Sequence, residues 1–118
     1  MVAHEIAHQW FGNAVTESDW SHLWLSEGFA TYLTNIYIAH SEGSVLFLAQ
    51  MAQDRKRVVR FGLDFKKPLV DSLTTDLNLL LNANAYQKGS WVLHMLRQEM
   101  GDSAFFDGLR SYYATYKH

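Results

Sequence analysis

Residues 24–40, WLSEGFATYLTNIYIAH, decide the fold class of this chain. Their apolar side chains recur at steps of three and four residues, which is the period of one face of an α-helix. The stretch therefore predicts a helix from about Trp24 to His40 with one buried stripe, formed by Leu25, Phe29, Tyr32, Leu33, Ile36 and Tyr37. One proline and seven glycines among 118 residues also favour helices, because both residue types interrupt them.

Similar periodicity predicts further helices over residues 2–11, 45–61 and 86–100, and a last helix that begins at Asp102 or Ser103. Residues 62–75 predict an irregular connection, followed by a short helix over 76–81. The expected inner faces of the last two long helices are Val92, Met95, Leu96 and Met100, and Phe105, Leu109, Tyr112 and Tyr116. The chain is thus predicted to be all-α, with about five helices and no complete sheet.

The composition excludes several classes of protein. Ten Lys and Arg against twelve Asp and Glu give a net charge of −2, so no overall positive field attracts nucleic acid. No apolar run approaches the roughly 20 residues of a membrane span. Six basic residues between Arg55 and Lys67 are interpreted as a solvated face, because no nucleic-acid motif accompanies them. The chain has no cysteine, so any metal must be held by histidine and carboxylate.

His4-Glu5-Ile6-Ala7-His8 matches the pattern H-E-x-x-H and lies on a predicted helix, which is the setting that this motif requires. Four residues advance a helix by one turn plus about 40°, so His4 and His8 project from one face and can bind one tetrahedral ion. Glu5 lies about 100° further round, where its carboxylate can reach a water on the metal without binding the metal itself. The motif alone leaves two interpretations open, a zinc site and two ordinary helix histidines.

A catalytic zinc site needs a third protein ligand, because it has three protein ligands and one open position for water. Glu27 is the best candidate, since its carboxylate lies between Trp24 and Phe29, where burial is costly unless its charge is compensated. The metzincin pattern is excluded, because it requires Gly and His where this chain has Phe11 and Ala14. The remaining histidines have no partner at metal-ligand spacing: His22, His40, His94 and His118.

Three separated motifs resemble the M1 family of zinc aminopeptidases, the gluzincins. They are HEIAHQWFGN over residues 4–13, WLSEGFATY over residues 24–32, and YQKG over residues 86–89. The gap between His8 and Glu27 is also the one expected of that family. The resemblance extends from Val2 to about Tyr116, nearly the whole chain. It implies the helical part of a thermolysin-like zincin catalytic domain.

The resemblance also implies the role of each site residue. His4, His8 and Glu27 would bind one Zn²⁺ ion, and Glu5 would act as general base on the zinc water. Tyr86 would donate a hydrogen bond to the oxyanion of the tetrahedral intermediate. These roles agree with the chemistry, since zinc acidifies its water and a neighbouring carboxylate can pass the proton to the leaving amine. Tyr86 also stands at the start of a predicted helix, whose dipole favours negative charge there.

The family reads the free amine of its peptide substrate with a Gly-x-Met-Glu-Asn segment upstream of the zinc helix, and this sequence does not contain it. We therefore expect residues 1–118 to be a single zinc-bearing helical subdomain of a larger peptidase, inactive or very weak on its own. The substrate of the larger protein would be a peptide with a free N-terminus. At the position of Thr34, family members often carry an acidic residue that can orient a zinc histidine. The neutral hydroxyl of Thr34 would support that histidine less strongly than a carboxylate.

Two other interpretations stay open: a zinc-binding but catalytically silent helical module, and a helical interaction domain with an accidental motif. The family's helical core normally packs against an upstream domain. We therefore expect an exposed apolar patch around Trp10 and Phe11, and self-association of the chain. The sequence predicts no nucleic-acid partner and no membrane segment, and it indicates no compartment.

Overall fold

The computed structural model describes residues 2–16, 22–65, 69–70 and 81–117. These ranges form five α-helices: α1 (Val2–Ala7), α2 (Trp24–Glu42), α3 (Ser44–Asp64), α4 (Gly89–Met100) and α5 (Asp102–Tyr116). A single π-helical turn, Asn84–Lys88, leads directly into α4. The described ranges contain no sheet, and their β pairing is limited to an isolated bridge between Phe11 and Val15. The predicted all-α fold with about five helices is confirmed.

Helix α2 lies at the centre of the molecule and packs against α1, α3, α4 and the π turn. Its buried Phe29 stacks on Phe11 with ring centroids 4.4 Å apart, and this pair anchors the segment after α1 to the core. The core also includes Val15 from the segment after α1 and residues from every long helix: Tyr32, Phe47, Met51, Leu93 and Phe105. The apolar cluster that buries one side of α2 therefore also holds the segment after α1, residues 11–15, against that helix.

Two glycines let consecutive helices fold back on each other without a longer loop. Gly43 separates α2 from α3 with φ +99°, and Gly101 separates α4 from α5 with φ +83°. Residues with a side chain rarely adopt this conformation, so glycine is the residue suited to both positions. The longest helices, α2 with 19 residues and α3 with 21, are thereby joined directly. No helix in the described part combines the length and hydrophobicity needed to cross a bilayer.

Some predicted boundaries are wrong. Helix α1 ends at Ala7 and not near Phe11, because the N–H groups of Gln9 and Trp10 bond to carbonyls three residues back and those of Asn13 and Val15 to carbonyls five residues back. Helix α3 continues through Gly62 to Asp64, three residues beyond the predicted end. The short helix predicted over 76–81 lies outside the described residues except for its last position, which is not helical.

Several predicted inner faces point to solvent. On α4 the predicted stripe is largely exposed, and Ser90 and Leu93 are buried in its place. Tyr37 and Tyr116 are also exposed, whereas Phe11, expected in an exposed patch, is buried in the core. Periodicity shows that a helix has an apolar side, but which neighbour covers that side depends on tertiary packing. The exposed positions of the α4 stripe are Met95, Leu96 and Met100.

Candidate metal centre

Two histidines and a carboxylate converge where α1 packs against the first turn of α2. The Nε2 atoms of His4 and His8 are 3.1 Å apart, and Oε2 of Glu27 lies 3.2 Å from the first and 3.3 Å from the second. All three side chains of this triad, His4, His8 and Glu27, are half-buried. Among the histidine and acidic side chains that the structure describes, these three form the group whose ligand atoms lie close enough together to share one metal ion.

The backbone just after α1 sets the orientation of the His8 ring. The His8 N–H bonds to the His4 carbonyl at 3.3 Å, which keeps the two rings one turn apart on the same face. The ring Nδ1 of His8 lies 3.0 Å from the Phe11 carbonyl, to which it donates, so the lone pair of Nε2 is directed to the triad. Gly12 makes room for this bond, since its φ is +135° and a Cβ there would lie 2.8 Å from Nδ1.

The donor set fits a tetrahedral zinc ion. Two ligand atoms at about 2.0–2.1 Å from a tetrahedral zinc are about 3.3–3.4 Å apart. The three separations in this site, 3.1, 3.2 and 3.3 Å, agree with that spacing to within a few tenths of an ångström. Two imidazoles and one carboxylate are also a known ligand set of catalytic zinc sites, which keep a fourth position open for water.

Tyr86 faces the triad from the π turn, with its ring centroid 5.8 Å from that of His4. Burial raises the pKa of its hydroxyl above the ordinary value of 10.0, and the negative charge of Glu27 raises the pKa further. The phenol therefore stays protonated at neutral pH and can act as a donor. Tyr86 does not begin α4, as the sequence predicted; it is the middle residue of the turn before that helix.

The triad opens into a cleft of about 330 Å³ that also contains Glu5 and Tyr86 in its lining. Glu5 is exposed to solvent, whereas the triad beside it is half-buried. Thr34 lies in the same cleft, but its hydroxyl donates to the Ala30 carbonyl at 2.8 Å and thus bonds within its own helix. One face of α2 forms the floor of the cleft: Glu27, Thr31, Thr34, Asn35 and Ile38.

A buried polar cluster, which the sequence analysis missed, also lines this cleft. Asp54 on α3 is 2% exposed, and its carboxylate accepts hydrogen bonds from Asn35 of α2 at 2.9 Å and from Gln50 at 3.0 Å. None of the ion pairs in the described part involves Asp54. The sequence position of Asp54 could have indicated its burial. Asp54 lies seven residues after the buried Phe47 and three after the buried Met51, so all three share one face of α3.

The Peptidase family M1 domain matches residues 1–118. The chain belongs to peptidase family M1. It is 34% identical over 115 residues to Aminopeptidase M1 of Arabidopsis thaliana, an alignment that covers 95% of this chain and 13% of the plant protein. The family that the three motifs resemble is therefore confirmed.

Two solved structures share the fold of this chain. A mutant M1 zinc metallopeptidase from Deinococcus radiodurans, bound to a Tyr-Ser-Ala substrate, superposes with a TM-score of 0.80 and 35% identity over 98% of this chain. Yeast LTA4 hydrolase in complex with bestatin superposes with a TM-score of 0.89 and 29% identity, also over 98% of this chain. The M1 chain spans 25% and 20% of those two proteins. It thus corresponds to the helical part of the M1 catalytic domain.

Proposed function

We propose that this M1 chain is the zinc-bearing helical subdomain of an aminopeptidase, and that the protein containing it hydrolyses the N-terminal bond of peptides with a free amine. The observation that carries the proposal is the convergence of His4, His8 and Glu27 with ligand atoms 3.1 to 3.3 Å apart. The names of the relatives support the reaction class, since they include aminopeptidases and a zinc metallopeptidase with a bound tripeptide.

His4, His8 and Glu27 would hold one Zn²⁺ ion, which when bound polarises the scissile carbonyl and acidifies a water molecule. Glu5 accepts a proton from the attacking water and passes it to the leaving amine. Tyr86, which keeps its proton, donates a hydrogen bond to the negative charge that develops on the carbonyl oxygen of the substrate. The protein thus supplies a base and an oxyanion donor on the wall of one cleft.

Residues 1–118 alone should bind zinc but turn over peptides very weakly or not at all. Glu5 is exposed to solvent, and electrostatic stabilisation of a transition state depends on a site from which water is excluded. The partners that we propose are a peptide substrate for the larger protein and, for this chain by itself, a second copy. No nucleic-acid partner is proposed, because the chain carries a net charge of −2.

Metal content tests the site. The chain purified without chelator should hold about one zinc per molecule, and His4→Ala should lower the affinity for zinc by at least about tenfold. His40→Ala is the matched control, because His40 is an exposed histidine of α2 away from the triad. Much less than one zinc in the unaltered chain, together with no effect of His4→Ala, would leave only a helical module with an accidental motif.

Hydrolysis of aminoacyl arylamides tests the reaction. The protein that contains this chain should release the arylamine in a zinc-dependent reaction, and a chelator should abolish it. Glu5→Gln provides the control for contaminating peptidases, since it removes the base while leaving the proposed ligands in place. Stoichiometric zinc without any turnover would instead establish the catalytically silent alternative.

A further inference from the structure

The backbones of α2 and α4 touch at a pair of glycines. A Cβ on Gly28 would lie 3.0 Å from both the Cα and the carbonyl carbon of Gly89, and a Cβ on Gly89 would lie 3.0 Å from the Cα of Gly28. Non-bonded carbon atoms are normally separated by about 3.5–4.0 Å. Both residues are buried, and the contact is made by main-chain atoms, which cannot rotate out of the way as a flexible side chain can.

This contact adjoins two residues of the proposed chemistry. Gly28 directly follows Glu27, and Gly89 directly follows the π turn that carries Tyr86. Ser90, which follows Gly89, is also small and fully buried, and its backbone nitrogen lies 3.4 Å from the position of a Cβ on Gly28. The distance between the backbones of α2 and α4 at this contact is therefore also the distance between the turn of α2 that carries Glu27 and the π turn that carries Tyr86.

The π turn is also held at its other end. The side-chain oxygen of Asn82 accepts the N–H groups of Asn84 and Ala85 at 2.9 and 3.3 Å. Inside the turn, the N–H of Lys88 bonds to the Ala83 carbonyl five residues back at 2.8 Å. With its start capped and its end pressed against Gly28, the turn has little freedom to adjust Tyr86 if the helices are pushed apart.

We propose that Gly28 and Gly89 are positioning residues, whose contact sets the distance from Tyr86 to the His4–Glu27 side of the metal centre. The consequence for catalysis rests on the proposed function of Tyr86, but the geometric consequence does not. A methyl group at either glycine has to displace the opposing backbone by a few tenths of an ångström. Since a misplacement of about 1 Å in a catalytic group can lower the rate by about 100-fold, a shift of a few tenths of an ångström should lower it by about 3- to 10-fold.

Nuclear magnetic resonance on the 118-residue chain tests the geometry without any turnover. The nuclear Overhauser effect between the Tyr86 and His4 rings should be seen in the unaltered chain and should weaken in Gly89→Ala and in Gly28→Ala. Gly62→Ala is the matched control and should keep it, because a Cβ there meets no atom within 4 Å. Gly28→Ala and Gly89→Ala place the methyl group on opposite sides of one contact. If only one of them folds, that variant alone is enough to test the proposal. An unchanged ring contact in a folded variant would overturn the proposal.

A double-mutant cycle tests the catalytic consequence in the zinc-loaded, active protein that contains this chain. Gly89→Ala should lower kcat by about 3- to 10-fold with a smaller change in KM. The same substitution should cost little once Tyr86→Phe has already removed the phenol, because the glycine acts through that group. Equal losses in both backgrounds would overturn the proposal. If Tyr86→Phe itself leaves kcat unchanged, the proposed role of Tyr86 fails, and the ring contact alone then decides the positioning claim.

Discussion

At the scale of single residues, Glu5 and Glu27 are two carboxylates in one cleft with different proposed tasks. Glu27 touches both histidines, whereas Glu5 is exposed and contacts neither through a hydrogen bond in the described part. Glu5→Gln should therefore keep zinc and lower hydrolysis by orders of magnitude in the larger protein, while Glu27→Ala should lose affinity for the metal. Zinc titration alongside arylamide turnover measures both effects. Equal loss of metal in the two variants would contradict this division of roles.

Asp54 is a second residue whose surroundings predict a measurable effect. Its carboxylate joins α3 to Asn35 of α2, and Asn35 is itself 3% exposed. Asp54→Ala removes the acceptor from a buried amide, so the free energy of unfolding should fall by about 1–3 kcal/mol. Chemical denaturation measures this change. Asp107→Ala, which removes only an exposed ion pair with Arg110, should change stability by no more than about 0.5 kcal/mol.

At the scale of helices, a hydrogen-bonded chain connects α2 to α4. The hydroxyl of buried Tyr32 accepts from Nη1 of Arg97 at 3.3 Å and donates to Nδ1 of His94 at 2.7 Å. Arg97 in turn makes two hydrogen bonds to Asp102, at 2.8 and 3.0 Å. Burial lowers the pKa of His94 below its ordinary 6.5, and the charge of Arg97 lowers it further. The neutral ring, with an unprotonated Nδ1, is therefore the form that fits the folded protein.

This connection predicts that acid destabilises the packing of α2 against α4. Because the folded pKa of His94 is lowered, the unfolded chain takes up the proton first as the pH falls. The contribution of His94 is thus present above about pH 6.5 and is lost as the pH falls through the lower pKa of the folded state. The thermal midpoint, measured between about pH 7.5 and pH 5, should fall less steeply in His94→Gln than in the unaltered chain. His40→Gln, at an exposed position, should retain the full slope; identical slopes for all three proteins would contradict the prediction.

At the scale of the whole molecule, a wide apolar groove lies on the outer side of α1 and α2. It measures about 880 Å³ and includes Val2, Ile6, Trp10 and Tyr37, which are 74, 53, 48 and 59% exposed. Apolar patches of this kind are uncommon on soluble monomers and are covered when molecules associate. We therefore expect the 13.6 kDa chain to scatter light as a dimer or larger species at micromolar concentration.

Substitution separates this groove from general stickiness of the surface. Tyr37→Glu should shift the chain toward monomer, because it places a charge in the groove. Leu63→Glu is the control, since Leu63 is 78% exposed on α3 and does not line the groove. A compact monomer in the unaltered chain, or dissociation by both substitutions alike, would contradict association through this face.

The sequence by itself determined the fold class, the approximate positions of the long helices and the family. These features depend on short-range geometry: His4 and His8 share a face because one helical turn separates them, and α2 is visible because its apolar residues repeat with the helical period. Glu27 was identified as a ligand candidate for a local reason as well, since a carboxylate among Trp24 and Phe29 needs compensation. Each of these inferences requires knowledge of only one element and its solvent, apart from the family, which was recognised from three separated motifs.

Only the tertiary structure decided which faces meet and how closely. Three features depend on the packing of helices distant in sequence. They are the exposure of the apolar side of α4, the contact of Gly28 with Gly89, and the burial of Asp54 beside Asn35. The position of Tyr86 is of the same kind, because a π turn and a backbone contact with α2 set it together. Helical periodicity specifies the direction in which a side chain points along its own helix, but it carries no information about the neighbour that will lie there.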